Sequence, residues 1–177
     1  DVSDSRNPKV TRYMNSPAML DANESIAINK SRKLLLANGA NTTTFDIYDL
    51  SDCLHPVLKS STAIPSMTSH SGGFSPDGRM FYSSSCCSVG MPGTPTSAVF
   101  AIDVSDLSKP QGIATWVSPK AEWLTHGVGV SQDGSRVYVV FFRNKDDQAK
   151  APELNGIGIL DVSDFQARRP NPQFRLI

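Results

Sequence analysis

Three residues recur at matching places in this chain and have side chains that could do chemistry together: His70, His126 and Glu24. Each opens a related phrase. The phrases read His70-Ser-Gly-Gly-Phe-Ser-Pro-Asp-Gly-Arg79, His126-Gly-Val-Gly-Val-Ser-Gln-Asp-Gly-Ser135 and, eroded, Glu24-Ser-Ile-Ala-Ile-Asn-Lys-Ser-Arg32. Neutral imidazole ligates metals and moves protons near pH 7. Two histidines with one carboxylate form a set suited to Fe(II) or Zn(II), which makes a divalent metal a candidate cofactor. The competing reading is structural, with each histidine bonding across to a turn of the neighbouring repeat. Trp123, just before Thr125-His126, could stack on a ligand or anchor the junction between repeats. His55, in the turn Asp52–Pro56, reads as an exposed turn residue.

The cysteines are Cys53, Cys86 and Cys87. Adjacent residues have Cα atoms about 3.8 Å apart, below the usual span of about 4.4–6.8 Å for a bridge, so a Cys86–Cys87 disulfide would be strained. No cation nearby in sequence would stabilise a thiolate there. No Cys/His spacing suggests a structural zinc site, and no nucleophile elbow, P-loop or dinucleotide fingerprint is present.

The elements that must position these residues are legible from a second repeat. Asp1-Val-Ser-Asp4, Asp49-Leu-Ser-Asp52, Asp103-Val-Ser-Asp106 and Asp161-Val-Ser-Asp164 begin 48, 54 and 58 residues apart. Such periods mark an array of similar supersecondary units. Asp and Ser side chains cap turns by accepting from nearby backbone N–H groups, so the phrase is structural first. Asp-Gly after alternating apolar residues is a hairpin signal. Strand-like runs follow these turns at 33–36, 80–82 and 136–142, lead into the Asp-x-Ser-Asp phrases at 43–48, 98–102 and 157–160, and follow them at 57–60, 113–116 and 173–177. Val10–Tyr13 adds one more.

The chain therefore reads as all-β, with three four-stranded antiparallel blades of a β-propeller plus an extra N-terminal outer strand. Residues 1–20 form the outer strand of a preceding blade and a linker, and 21–66, 67–122 and 123–177 form blades 1 to 3. Three blades are too few to close a ring, and an open array exposes an apolar face at each end. Either the chain is a piece of a larger polypeptide that carries the remaining blades, or two copies associate into a six-bladed ring. The initial Asp-Val-Ser-Asp, cut off from the strand that should precede it, favours the first.

Ala101-Ile-Asp-Val-Ser-Asp-Leu-Ser-Lys-Pro110, Gly158-Ile-Leu-Asp-Val-Ser-Asp164 and Thr125-His-Gly-Val-Gly-Val-Ser-Gln-Asp-Gly134 resemble the LVIVD-repeat proteins, over nearly all of the chain. That resemblance implies a propeller-like bacterial protein, exported to the periplasm or beyond, of undefined biochemical role. The phrase His-x-x-x-Phe-Ser-Pro-Asp-Gly is also similar to lactonase-type propellers, and marks architecture only.

In a four-stranded blade, the entry to the first strand and the loop between second and third strands open on one face. Glu24, His70, His126 and the long insertions Ser85–Thr96 and Arg143–Asn155 therefore share that face, and loops on a rigid scaffold carry function disproportionately. Seventeen basic and 17 acidic residues remove the electrostatic case for nucleic acid or an anionic membrane. No stretch reaches the 18 apolar residues of a transmembrane span. The leading expectation is a propeller that binds a protein or small-molecule ligand. The alternatives are a metal-assisted hydrolase or oxidase using His70, His126 and Glu24, and a structural subunit of an extracellular assembly.

Overall fold

The computed structural model describes residues 1–40, 42–85, 95, 97–120, 123–142 and 155–177, with the backbone alone at 22–25. Its described strands build three four-stranded antiparallel sheets, each in sequence order. Blade 1 comprises β1 (Ala22–Asn29), β2 (Leu34–Gly39), β3 (Thr44–Asp49) and β4 (Val57–Ala63). Blade 2 comprises β5 (Ser71–Phe74), β6 (Met80–Ser84), β7 (Ala98–Asp103) and β8 (Gln111–Val117). Blade 3 comprises β9 (Leu124–Val130), β10 (Arg136–Phe142), β11 (Gly156–Asp161) and β12 (Arg175–Leu176). The inner strands β1, β5 and β9 pack side by side, the arrangement of strands around a propeller axis. Two short helices, α1 (Pro17–Leu20) and α2 (Ser163–Gln166), sit in connections.

The recurring phrases fold into recurring turns. The Ser3, Ser51, Ser105 and Ser163 backbone N–H groups donate to Oδ1 of Asp1, Asp49, Asp103 and Asp161 at 2.9, 2.8, 2.8 and 2.8 Å. In the second phrase, the Ser75 and Ser131 hydroxyls donate to Asp77 and Asp133 and accept from the backbone N–H of Met80 and Arg136. Gly78 and Gly134 take φ of 68° and 73°, which is why glycine stands there.

Alternation along the middle strands sends side chains to both faces, and both faces are apolar. Leu36, Phe45 and Ile47 of blade 1 meet Phe81, Ala98, Phe100 and Ile102 of blade 2 in one core. The other face of blade 2, Met80, Tyr82, Val99 and Ala101, meets Val137, Val139, Phe141 and Leu160 of blade 3. Connecting segments seal each junction from the side. Ile64 and Met67 join the first core, Trp123 lies against the second, and α1 lays Ala18 on Leu35, Ala37 and Tyr48 of blade 1. The buried Asp46 carboxylate holds α1 in place, accepting from the Ser16 hydroxyl and, at 2.7 Å, from the Ala18 N–H.

Arginines tie the blades together at the turn end. Arg32 of blade 1 donates to the carbonyls of Gly78, Val104 and Ser105 at 2.8, 3.1 and 3.2 Å. Arg168 of blade 3 reaches back to Asp103 Oδ2 at 2.8 Å and to the Ser105 hydroxyl at 2.5 Å.

Two details differ from the sequence-based expectation. Residues 10–13 form no strand and join none of the three described sheets. The fourth Asp-x-Ser-Asp phrase continues into the helical turn α2, where Asp164 is buried and pairs with Arg169 and Arg175 at 3.0 and 2.6 Å. Arg175 also lies in β12, so these ion pairs hold the short outer strand to the turn.

A Cβ at Gly72 would lie 2.3 Å from the Phe81 ring and 2.7 Å from the Tyr82 carbonyl. Gly72→Ala should lower the unfolding free energy by about 1–3 kcal/mol in urea titration, the usual cost of overpacking. Arg168→Ala should cost about 1–2 kcal/mol by the same assay, since it removes charge-assisted bonds between blades that are partly screened by solvent. Hydrogen bonds from the Ser131 hydroxyl and from Ser135 hold the Asp133 carboxyl down to about 2, and Ser51 and Ser163 lower Asp49 and Asp161 in the same way. For Asp103, burial pushes upward but is outweighed by Ser105 and Arg168, so it too is lowered. Carboxyls lowered on folding stabilise the protein above their unfolded value of about 3.9 and lose that contribution as pH falls through the folded value. The melting temperature should therefore hold near neutrality and drop from about pH 4 toward about pH 2, less steeply in Asp133→Asn.

Candidate functional site

The inner strands define two ends of the axis. At one end the Asp-Gly turns surround an open cavity of ≈ 420 Å³, lined by Asn29, Lys30, Phe74, Ser75, Val130 and Ser131 among others. At the other end stand the entries to β5 and β9, together with the ends of β6 and β10 where the two long insertions start.

His70 immediately precedes β5, and His126 is the third residue of β9. The structure brings them together across the junction of blades 2 and 3. Their Nε2 atoms are 3.0 Å apart, with ring centroids at 4.4 Å and planes inclined by 61°. A single proton fits between two nitrogens at this separation, so only one ring carries hydrogen on Nε2 and the other presents its lone pair. Zn–N bonds of about 2.0–2.1 Å place two cis imidazole nitrogens about 2.9–3.4 Å apart, so the same geometry suits two ligands of one metal ion.

The backbone on both sides fixes this pair. The His70 N–H donates to the Ser84 carbonyl at 2.8 Å, and the Ser84 hydroxyl donates to the His126 carbonyl. The Asn38 side chain of blade 1 donates to the carbonyls of Ser69 and His70 at 3.2 and 3.4 Å. Ser69 and Ser83 share a hydroxyl–hydroxyl bond beside it, and Phe142 packs its ring edge-on to His126 at 5.3 Å. His70 is 6% exposed and His126 is half-buried, so the second imidazole is the accessible one.

The other expected site residues fare differently. Glu24 lies in β1, at the corresponding inner strand of blade 1, but its side chain is outside the described residues. Cys86, Cys87, residues 88–94 and 96 and residues 143–154 are also outside them. Among the described residues, no group of three His, Cys, Asp or Glu side chains converges as a metal site. Trp123 stacks on Phe141 at 5.0 Å, with the Lys120 ammonium 4.7 Å above its ring. Phe141 and Phe142 are consecutive in β10 and leave opposite faces of it, which separates Trp123 from the histidine pair. His55 is exposed and bonds Asp52 at 2.7 Å, and Cys53 is an exposed free thiol.

Sequence reasoning missed Asn38, Ser69, Ser83, Ser84 and Phe142. A signal for Ser83 and Ser84 was there, since they follow the apolar run Met80–Tyr82 in the strand that pairs with the one His70 enters. Asn38 gave none, because only the three-dimensional junction sets it under the His70 peptide.

No family model and no curated protein matches this sequence. Solved structures do resemble it. A protein of unknown function from Desulfotomaculum acetoxidans matches with a TM-score of 0.61 and 13% identity, over 89% of this chain and 41% of that one. A proposed 6-phosphogluconolactonase from Bacteroides uniformis matches at 0.58 and 19%, over 85% and 38%. The periplasmic gluconolactonase of Pseudomonas aeruginosa matches at 0.58 and 13%, over 88% and 44%. The chain thus spans about two-fifths of the length of these neighbours. At such identities the likeness concerns the fold: this is an all-β, propeller-like chain of three four-stranded antiparallel sheets.

Proposed function

We propose that this chain is the ligand-binding part of a propeller of the LVIVD-repeat kind, exported by a bacterium, with the ligand seated over His70 and His126. The observation that carries the reading is the 3.0 Å contact between the two Nε2 atoms at the loop-bearing end of the axis. A half-buried imidazole held by backbone on a rigid sheet offers a directed donor or acceptor to a polar ligand.

A second reading, a metal-assisted hydrolase, draws on the nitrogen separation and on the gluconolactonase among the structural neighbours. Here His70 and His126 would hold a divalent metal, with Glu24 as the carboxylate, and the metal would polarise a carbonyl and activate water.

Imidazole proton resonances in nuclear magnetic resonance separate the readings, with gluconate and Zn2+ as the probes. Under the binding reading, gluconate alone shifts both rings, and His126→Ala weakens that binding at least about tenfold, as loss of a hydrogen bond to a polar ligand does. If only Zn2+ moves the rings, and the zinc-loaded chain opens δ-gluconolactone, the hydrolase reading replaces it. If neither probe moves them, the pair is a structural bond between blades and both readings fail.

A further inference from the structure

The side chains that donate to the two histidine carbonyls occupy one and the same place in the repeat. Leu34 pairs with Asp49 and Met80 with Asp103, each Asp being the first residue of its Asp-x-Ser-Asp phrase. No bulge interrupts either pairing. Asn38, four residues after Leu34, therefore corresponds to Ser84, four residues after Met80. Both are buried, at 1% and 0% exposure. His70 and His126 correspond as well, each seven residues before the Asp of its Asp-Gly turn.

Each donor reaches forward by one blade. Asn38 Nδ2 of blade 1 donates to the His70 carbonyl at 3.4 Å and to the Ser69 carbonyl at 3.2 Å. The Ser84 hydroxyl of blade 2 donates to the His126 carbonyl of blade 3, and its contact with the Ser71 carbonyl of its own blade is longer, at 3.3 Å. An amide serves one junction and a hydroxyl the other, yet the bond is the same. It runs from the second strand of one blade to the carbonyl of the histidine at the inner-strand entry of the next. A polar side chain in a buried strand is costly unless it is paired, and here both pairings cross a blade junction. Apolar packing does not fix how far one sheet is offset on another, whereas a directed bond does.

We propose that Asn38 and Ser84 are positioning residues, which together set the inner strands of blades 2 and 3 at the offset that brings the imidazoles into contact. Both act on the rings through the backbone. A carbonyl lies in the peptide plane that begins at its own residue's Cα, and the imidazole leaves from that Cα, so holding the carbonyl limits where the ring points. The rings tolerate little slack, because an N–H bond weakens beyond about 3.2 Å and their nitrogens stand at 3.0 Å. The consequence for ligand affinity rests on the binding reading above. The geometry of the pair does not.

The test reads the contact itself, as the nitrogen–nitrogen scalar coupling across the Nε2–H···Nε2 bond in histidine-labelled protein. Ser84→Cys and Asn38→Leu nearly keep the side-chain volume, while Cys is a weak donor and Leu is none. Ser75→Ala, which loses a turn bond at the opposite end of the axis, controls for lost stability alone. The coupling is expected in wild type and in Ser75→Ala, and should vanish in Ser84→Cys and in Asn38→Leu. Their dissociation constants for gluconate should rise on the order of tenfold, as small misplacements of a binding group do. A coupling that persists in a variant overturns the role of that residue, and its absence from wild type overturns both. Loss in the variants upholds the positioning role even where wild type binds no gluconate, in which case the binding reading alone falls.

Discussion

Everything in this chain depends on one contact: the apolar face of one blade pressed on the opposite apolar face of the next. A four-stranded sheet with one dry and one wet face could stand on a helix or on another sheet. These sheets are apolar on both faces, as Phe81 and Phe100 on one side of blade 2 and Tyr82 and Val99 on the other show. Such a sheet needs cover on both faces, from another blade or, on blade 1, from α1 and the residues before it. The middle blade is therefore the one blade whose two faces are both covered by neighbours of its own kind.

Packing sets the blades side by side, and the turns hold their angle. Apolar contact is non-directional, so it does not by itself prevent one sheet from sliding on another. Directional bonds do that here. Arg32, Arg168 and Asn29 each reach from their own blade to the backbone or turn of another. The same framework places His70 against His126. Neither histidine is held by its own blade alone, because Asn38 of blade 1 donates to the His70 carbonyl and the Ser84 hydroxyl of blade 2 donates to the His126 carbonyl. The candidate site is thus a property of the junction.

The repeat made most of this fold readable. Asp-Gly and Asp-x-Ser-Asp mark turns through local hydrogen bonds, and local bonds leave local signatures. Strand runs at 80–82 and 98–102 fell where β6 and β7 stand, for the same reason. The errors lie where the outcome depended on a partner. Val10–Tyr13 has strand-forming residues, yet it pairs with none of the described strands. Asp164 repeats Asp52 and Asp106 in sequence, but Arg169 and Arg175 pull it into a helical turn. At the candidate site, the shared location of His70 and His126 followed from their place in the repeat. Their mutual bond did not, since it needs the angle between blades. Trp123 was legible as an aromatic near the rim, but its stacking on Phe141 was not.

The turn Asp103–Ser105 is gripped from both sides, by Arg32 of the blade before it and Arg168 of the blade after it. The other copies of the phrase carry no such double grip among the described residues. Four segments that look alike on paper therefore carry unequal structural constraint. Drift can soften the outlying copies one residue at a time, whereas a change in the central copy is felt in three blades at once.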